Sequence, residues 1–161
     1  MKTLIFDWGD TIMRDFFLEG PMWNWKKVAW IPNAEAALIE LSKEYNLIIA
    51  TSADHSDTDD MIKALKMIGA DSYFNHFYSQ KELGFKKPDP RFFKSILVKS
   101  ANKASNCIMI GNSYEKDIEG ASAANIKTIF FNEKRIPGEF VKADIQIYNL
   151  ANLRAAVAEI F

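Results

Sequence analysis

Lys2-Thr3-Leu4-Ile5-Phe6-Asp7-Trp8-Gly9-Asp10-Thr11 is the stretch that decides how this chain is read. Its apolar run, Leu4-Ile5-Phe6, has the length and composition of a buried strand and stops abruptly on Asp7, with Gly9, Asp10 and Thr11 behind it. In an open parallel sheet, ligands gather just outside the carboxyl ends of the strands, so Asp7 is expected on a rigid strand end facing a crevice. A carboxylate there can bind a cation, attack an electrophile, or simply cap the turn. The residues at the other strand ends decide among these.

Outward from that stretch, buried-strand patterns recur at Leu47–Ala50, Phe74–Ser79, Cys107–Ile110, Lys127–Phe131 and, more weakly, Asp144–Ile147. Helical patterns lie between them. One opens on Asn33 as N-cap, carries Ala37, Leu38 and Leu41 as its inner stripe and runs to Tyr45. A second starts on Ser56 with Asp57, Asp59 and Asp60 at its positive end and closes on Gly69. The polar stretch Gln80–Pro88 predicts a loop, followed by a helix with Asp89 as N-cap, Pro90 as first residue and a buried face of Phe92, Phe93, Ile96 and Leu97. A small-residue helix is expected from Tyr114 to Asn125 and an amphipathic one from Leu150 to Ile160. Strand and helix thus alternate, which predicts an α/β fold: a three-layer, Rossmann-like parallel sheet with right-handed crossovers, in one domain over residues 1–161. The segment 12–31 stands apart. It holds Phe16, Phe17, Trp23, Trp25 and Trp30, is broken by Gly20-Pro21 and keeps no period, so it predicts a loop or short hairpin with one helical turn, inserted like a flap. Its aromatics suit added core, a wall over the crevice, or a homodimer contact, and all three stay open.

Composition narrows the class. A chain of 161 residues buries roughly two thirds of its unfolded surface. Twenty basic against twenty-one acidic residues leave a formal charge of −1, which offers no field for nucleic acid or an anionic membrane. No apolar run approaches the roughly 20 residues needed to span a bilayer. Asp7 interrupts the first apolar run, unlike a signal peptide, and the lone cysteine, Cys107, sits in a core strand; a cytoplasmic protein is expected. The cluster Asp57, Asp59, Asp60 next to His55 reads as a stabilised helix start rather than a metal site, since no second histidine or cysteine stands at ligand spacing.

Four strand ends then bring chemical groups toward one crevice: Asp7 with Asp10, Thr51, Lys87 through its loop, and Asn112 with Asp117. In this order and spacing the sequence resembles the haloacid dehalogenase-like hydrolase superfamily along nearly its whole length. Phe6-Asp7-Trp8-Gly9-Asp10-Thr11 resembles the first motif, Thr51 the second, Lys87-Pro88-Asp89-Pro90 the third, and Gly111-Asn112-Ser113-Tyr114-Glu115-Lys116-Asp117 the fourth. The resemblance implies a Mg²⁺-dependent phosphohydrolase working through an aspartyl-phosphate on a small phosphoester. It implies Asp7, Asp10, Thr51 and Lys87 as catalytic residues and Thr51, Ser52, Lys87 and Asn112 around the phosphate. Asp7, the carbonyl of Gly9, Asn112 and Asp117 are implied as metal ligands. Charge repulsion between a carboxylate and a phosphate dianion is the physical reason for the cation and the lysine.

Two residues depart from the family pattern. The phosphatases usually carry a second aspartate, the acid/base, two residues after the nucleophile; here that position is Gly9, and the carboxylate comes one residue later at Asp10. Asn112 stands where an aspartate is common, which implies weaker Mg²⁺ binding. About 40 residues separate Asp7 from Thr51, too few for a cap domain, so an open crevice is expected. The missing acid/base implies low activity. It also leaves two further readings: cleavage of a carbon–phosphorus or carbon–halogen bond, whose leaving group needs no proton, or a feeble catalyst that binds a phosphorylated ligand or a protein.

Overall fold

Strand β1 (Thr3–Phe6) is buried at every residue and lies in the middle of a six-stranded sheet. The computed structural model describes residues 1–161. The strands β2 (Asn46–Thr51), β3 (His76–Ser79), β4 (Cys107–Gly111), β5 (Lys127–Phe131) and β6 (Ile145–Ile147) complete it in the order β3-β2-β1-β4-β5-β6, all parallel. Leu4 pairs with Leu47 on one side and Ile108 on the other, and Phe6 with Ile49 and Ile110. Side chains alternate across a strand, so these residues face one layer and Ile5, Ile48 and Met109 the other. Both layers are dry, which is why the central strands read as unbroken apolar runs.

The larger layer holds α1 (Ala34–Leu41), α2 (Thr58–Ile68) and α6 (Leu153–Ile160); the smaller holds α4 (Pro90–Lys99) and α5 (Gly120–Ala123). α4 packs Phe92, Phe93 and Ile96 under Met109, and α5 reaches it closely because Gly120 has no side chain: a Cβ there would stand 2.6 Å from the Phe93 ring. Cys107 is fully buried in this layer, and burial pushes its thiol up to about 11, an inert core cysteine. The chain winds left from β1 through β2 to β3 and then crosses to β4 on its other side. The switch point lies between β1 and β4, and Asp7 continues the ladder there, its amide donating to Ile110 O at 3.0 Å.

Several expected boundaries shift. Asn33 stands at the N-cap position of α1, as expected, but its side chain makes no cap: it sits in the left-handed region at φ 66°, its amide donates to Asn149, and its oxygen accepts nothing from α1. α1 ends at Leu41, and 42–45 form turns. α2 is capped by Asp57 rather than Ser56, with Asp57 and Asp60 exchanging side-chain-to-backbone bonds in a capping box. The polar loop contains a short helix, α3 (Gln80–Leu83), closed by left-handed Gly84. The segment 12–31 is a loop closed at its base by Arg14 N to Ala29 O and Ile31 N to Ile12 O, with a single 3₁₀ turn at Met22–Asn24 leaning on α2, where Lys63 lies over the Trp23 ring. No helix is long and apolar enough to cross a membrane.

The edge strand β6 is tied to β5 through one carboxylate. Asp144 accepts from Thr128 N at 2.9 Å and Lys127 Nζ at 2.6 Å. Burial opposes its ionisation, but these hydrogen bonds prevail and hold it below the usual carboxylate range. The folded value is depressed, so Asp144 stabilises the protein above the unfolded value of about 3.8 and loses that contribution as pH falls through the folded one. Asp144→Asn is therefore expected to lower Tm at pH 7 and to shrink the difference from wild type on acidification below about pH 4, read by thermal melts across pH.

Candidate active site

A cleft of about 570 Å³ opens over the carboxyl ends of β1, β2 and β4. Asp7, Thr51, Lys87, Asn112 and Asp117 all line it, so the groups implied by the four motifs meet in one place. Its centre is the ammonium of Lys87, which is 3% exposed. Nζ donates to Asp7 Oδ1 at 2.6 Å, to Asp117 Oδ1 at 2.7 Å and to Ala50 O at 3.2 Å, which uses all three of its protons. Burial works against its charge, and the two carboxylates overcome this and raise its pKa above the ordinary lysine value. Asp117, equally buried and facing the charge of Asp7, is pushed up to about 6 despite Lys87.

Asp117 owes its place to backbone geometry. The segment Tyr114–Glu119 is one π-helical stretch, so Asp117 sits a wider turn from Ser113 and accepts from Ser113 N at 3.0 Å. The carboxylate lies against the backbone of Gly111, where any Cβ would collide with it. The glycine of the fourth motif is thus a close-approach glycine.

The outer oxygen of the nucleophile candidate, Asp7 Oδ2, accepts from Thr11 Oγ1 at 3.3 Å. The Asn112 amide caps the same corner: its outer atom stands 3.1 Å from Asp7 Oδ2, 3.2 Å from Gly9 O and 3.2 Å from Thr11 Oγ1. With oxygen turned inward, three oxygens crowd together with no donor except the threonine; with nitrogen inward, the amide donates to all of them. Thr51 Oγ1 accepts from Ala53 N at 3.1 Å, which leaves its own proton free for the cleft, and Ser52 lines the same wall.

Asp10 is placed differently from its neighbours. It is 7% exposed with φ 55°, and its Oδ1 is taken by Arg14 Nη1 at 3.2 Å and Asp15 N at 3.1 Å. Arg14 in turn forms a bidentate pair with Glu133 just beyond β5, at 2.7 Å for each bond. Two groups of the site have no role in the motif reading: Thr11, whose hydroxyl reaches back one turn to Asp7, and Asp15, which lines the cleft; Met22 and Trp25 line it too, as one of the three readings of the aromatic segment expects. Thr11 lies inside the first motif and was visible there; Asp15 lies in a segment without periodicity, where nothing signals direction.

Residues 9–131 match the family of the haloacid dehalogenase-like hydrolases. The chain belongs to that family. The haloacid dehalogenase-like fold extends through both ends of the chain: the structure of an uncharacterized protein from Listeria monocytogenes serotype 4b superposes with a TM-score of 0.87 at 24% identity, covering 99% of this chain and 98% of that one. A haloacid dehalogenase-like phosphatase from Thermococcus onnurineus gives 0.83 at 20% identity over 98% of each. Glyceraldehyde 3-phosphate phosphatase of Methanothermobacter thermautotrophicus is 30% identical over 110 residues, 67% of this chain and 47% of that protein. The chain thus spans about half the length of the curated relatives it matches.

The Lys87 cluster has a direct test. Removing the ammonium strands two carboxylates in a dry site, so Lys87→Met should cost about 3–5 kcal/mol in urea unfolding. Adding Asp117→Leu removes one of the stranded charges. The double variant should then be more stable than the sum of the single changes by more than about 1 kcal/mol.

Proposed function

We propose that the chain is a Mg²⁺-dependent phosphohydrolase that takes the phosphoryl group of a small phosphate monoester onto Asp7. The observation that carries this reading is the pinning of Asp7 between two fixed neighbours. Oδ1 is held by Lys87, while Oδ2 faces the mouth of the cleft beside Gly9 O and Asn112. A nucleophile so held needs no further ordering to attack in line.

The donor set fits a small hard cation. The Asn112 amide stands 3.1 Å from Asp7 Oδ2 and 3.2 Å from Gly9 O, so turning its oxygen to that corner would gather three hard oxygen donors. Asp7, Gly9 O and Asn112 would hold the ion, with Asp117 supplying the second negative charge nearby. No trio of carboxylate, histidine or cysteine side chains is spaced for a metal anywhere in the molecule, so the ion would rest on few charges and bind weakly. When bound, Mg²⁺ supplies the positive charge that lets a carboxylate approach a phosphate dianion.

The protein's own groups do the rest. Lys87, Asp7 and Asp117 together carry a net charge of −1, so the lysine alone does not make the site attractive to a dianion, and its part is to orient Asp7 and meet the phosphoryl oxygens. The free proton of Thr51 and that of Ser52 point to the same oxygens as hydrogen-bond donors. Trp25, Met22 and Leu18 form the outer wall and fit the carbon part of a small ester. Support for a monoester comes from the family and from its relatives, among them the phosphatase acting on glyceraldehyde 3-phosphate.

Phosphate release from p-nitrophenyl phosphate with Mg²⁺ should fall at least about 10³-fold in Asp7→Asn, since its amide cannot take the phosphoryl group. Equal rates in the two proteins would remove Asp7 from the reaction. Gly111→Ala forces Asp117 aside and should raise the Mg²⁺ concentration for half-maximal rate about tenfold, with a smaller effect on the rate at saturation.

A further inference from the structure

A monoester with an alkyl leaving group needs a proton delivered as the P–O bond breaks, and Gly9 has none to give. Asp10, the next carboxylate in sequence, also lines the cleft, but it is 7% exposed and its Oδ1 is bound by the Arg14 guanidinium and by Asp15 N, which keep it a paired anion. The structure holds another carboxylate where the glycine leaves room. A Cβ built on Gly9 would meet only Asp15, whose Cβ and Oδ2 both stand 3.8 Å away. The carboxylate of Asp15 therefore stands in ordinary van der Waals contact with the point where a side chain at position 9 would begin.

We propose that Asp15 is the acid/base residue of this site, reaching the leaving group from the flap instead of from the strand end. This rests on the phosphohydrolase reading above. Its carboxylate is held and yet free on one side. Oδ1 accepts from Phe17 N at 2.7 Å, which fixes the rotamer through a tight turn, while Oδ2 accepts no hydrogen bond from the protein and lines the cleft with Asp7. The backbone behind it is fixed as well: Asp15 N donates to Asp10 Oδ1, and Asp10 is anchored through Arg14 to Glu133. The Asp10 cluster is then the mount that aims Asp15.

The proton account closes. In the first half, Asp7 Oδ attacks phosphorus, the P–O bond to the alcohol breaks, and protonated Asp15 gives its proton to the departing oxygen. In the second half, Asp15 carboxylate takes a proton from water as that water's oxygen attacks the phosphoryl group. The P–O bond to Asp7 breaks, inorganic phosphate leaves, and Asp15 is protonated again.

The test compares wild type, Asp15→Asn, Asp10→Asn and the double variant Gly9→Asp/Asp15→Asn, with Asp7→Asn as the control for the underlying reading. Asparagine keeps the acceptor for Phe17 N, so the loop fold survives, which a thermal melt checks. With β-glycerophosphate, Asp15→Asn should lose about 10²–10⁴-fold in rate. With p-nitrophenyl phosphate, whose leaving group departs unprotonated, phosphorylation of Asp7 should be much less affected. Phosphoenzyme formed from acetyl phosphate, followed by intact mass, should decay far more slowly in Asp15→Asn than in wild type. The double variant restores a carboxylate from the strand end and should recover activity on β-glycerophosphate. Equal losses on both esters with an unchanged phosphoenzyme lifetime would overturn the assignment, as would undiminished β-glycerophosphate activity in Asp15→Asn beside a leaving-group-selective loss in Asp10→Asn. Either result leaves the phosphohydrolase reading intact if Asp7→Asn is dead. A wild-type protein without any phosphate release overturns both.

Discussion

One ammonium holds this site together. Lys87 is buried in the loop between α3 and α4, and its three protons go to β1 through Asp7, to β2 through Ala50 O, and to the π-helical stretch after β4 through Asp117. Four segments distant in sequence are locked in register by a group that cannot leave without stranding two negative charges. Such a cluster is a poor source of net stability, because desolvating three charges costs about what their attraction returns. Its return is in position. Asp7 is held through one oxygen by Lys87, and its other oxygen meets only the Thr11 hydroxyl and the Asn112 amide.

The charge balance sets the character of this corner. Two carboxylates against one ammonium make an anionic corner, the wrong sign for a phosphate dianion. Burial and the facing charge of Asp7 push the Asp117 carboxyl upward, which reflects how unfavourable a second negative charge is in this corner. Asn112 in place of a third carboxylate lessens this internal repulsion and, equally, the attraction for the ion. The amide can turn either edge inward, so the same side chain serves as donor to Asp7 and Gly9 O or as an oxygen ligand.

The sheet was legible in the sequence because its central strands are buried on both faces and so read as continuous apolar runs: Leu4–Phe6, Leu47–Ala50 and Cys107–Ile110 lie where the pattern puts them. Asp7, Thr51, Lys87, Asn112 and Asp117 come together for the same reason, since each stands at or just beyond a strand end and parallel topology brings such ends to one edge. What could not be read depends on backbone choices without a periodic signature. Asn33 and Asp10 both have side chains suited to capping or catalysis, but a positive φ at each turns the side chain toward a partner more than 100 residues away in one case and toward Arg14 in the other. α3 was missed because four residues are too few for a helical period to show.

Asp15 belongs to that second group, and its position shows how a loop can take over a task from a strand. A strand-end residue is aimed by the ladder at no extra cost, whereas a loop residue must be aimed by contacts made for the purpose. Here those contacts exist: the base of the loop is closed by two backbone hydrogen bonds, its tip rests on α2, and the stretch between them is tied through Asp10 and Arg14 to Glu133 beyond β5. A carboxylate on so braced a loop sits nearly as firmly as one on β1. It shares one short segment with Phe17, Leu18 and Trp25, which line the cleft beside it. Proton delivery and substrate contact are then coupled through a single piece of chain. Asp15 stands beside position 9, where a Cβ would meet its Cβ and Oδ2 at 3.8 Å, so the loop carboxylate and the strand end address the same part of the cleft.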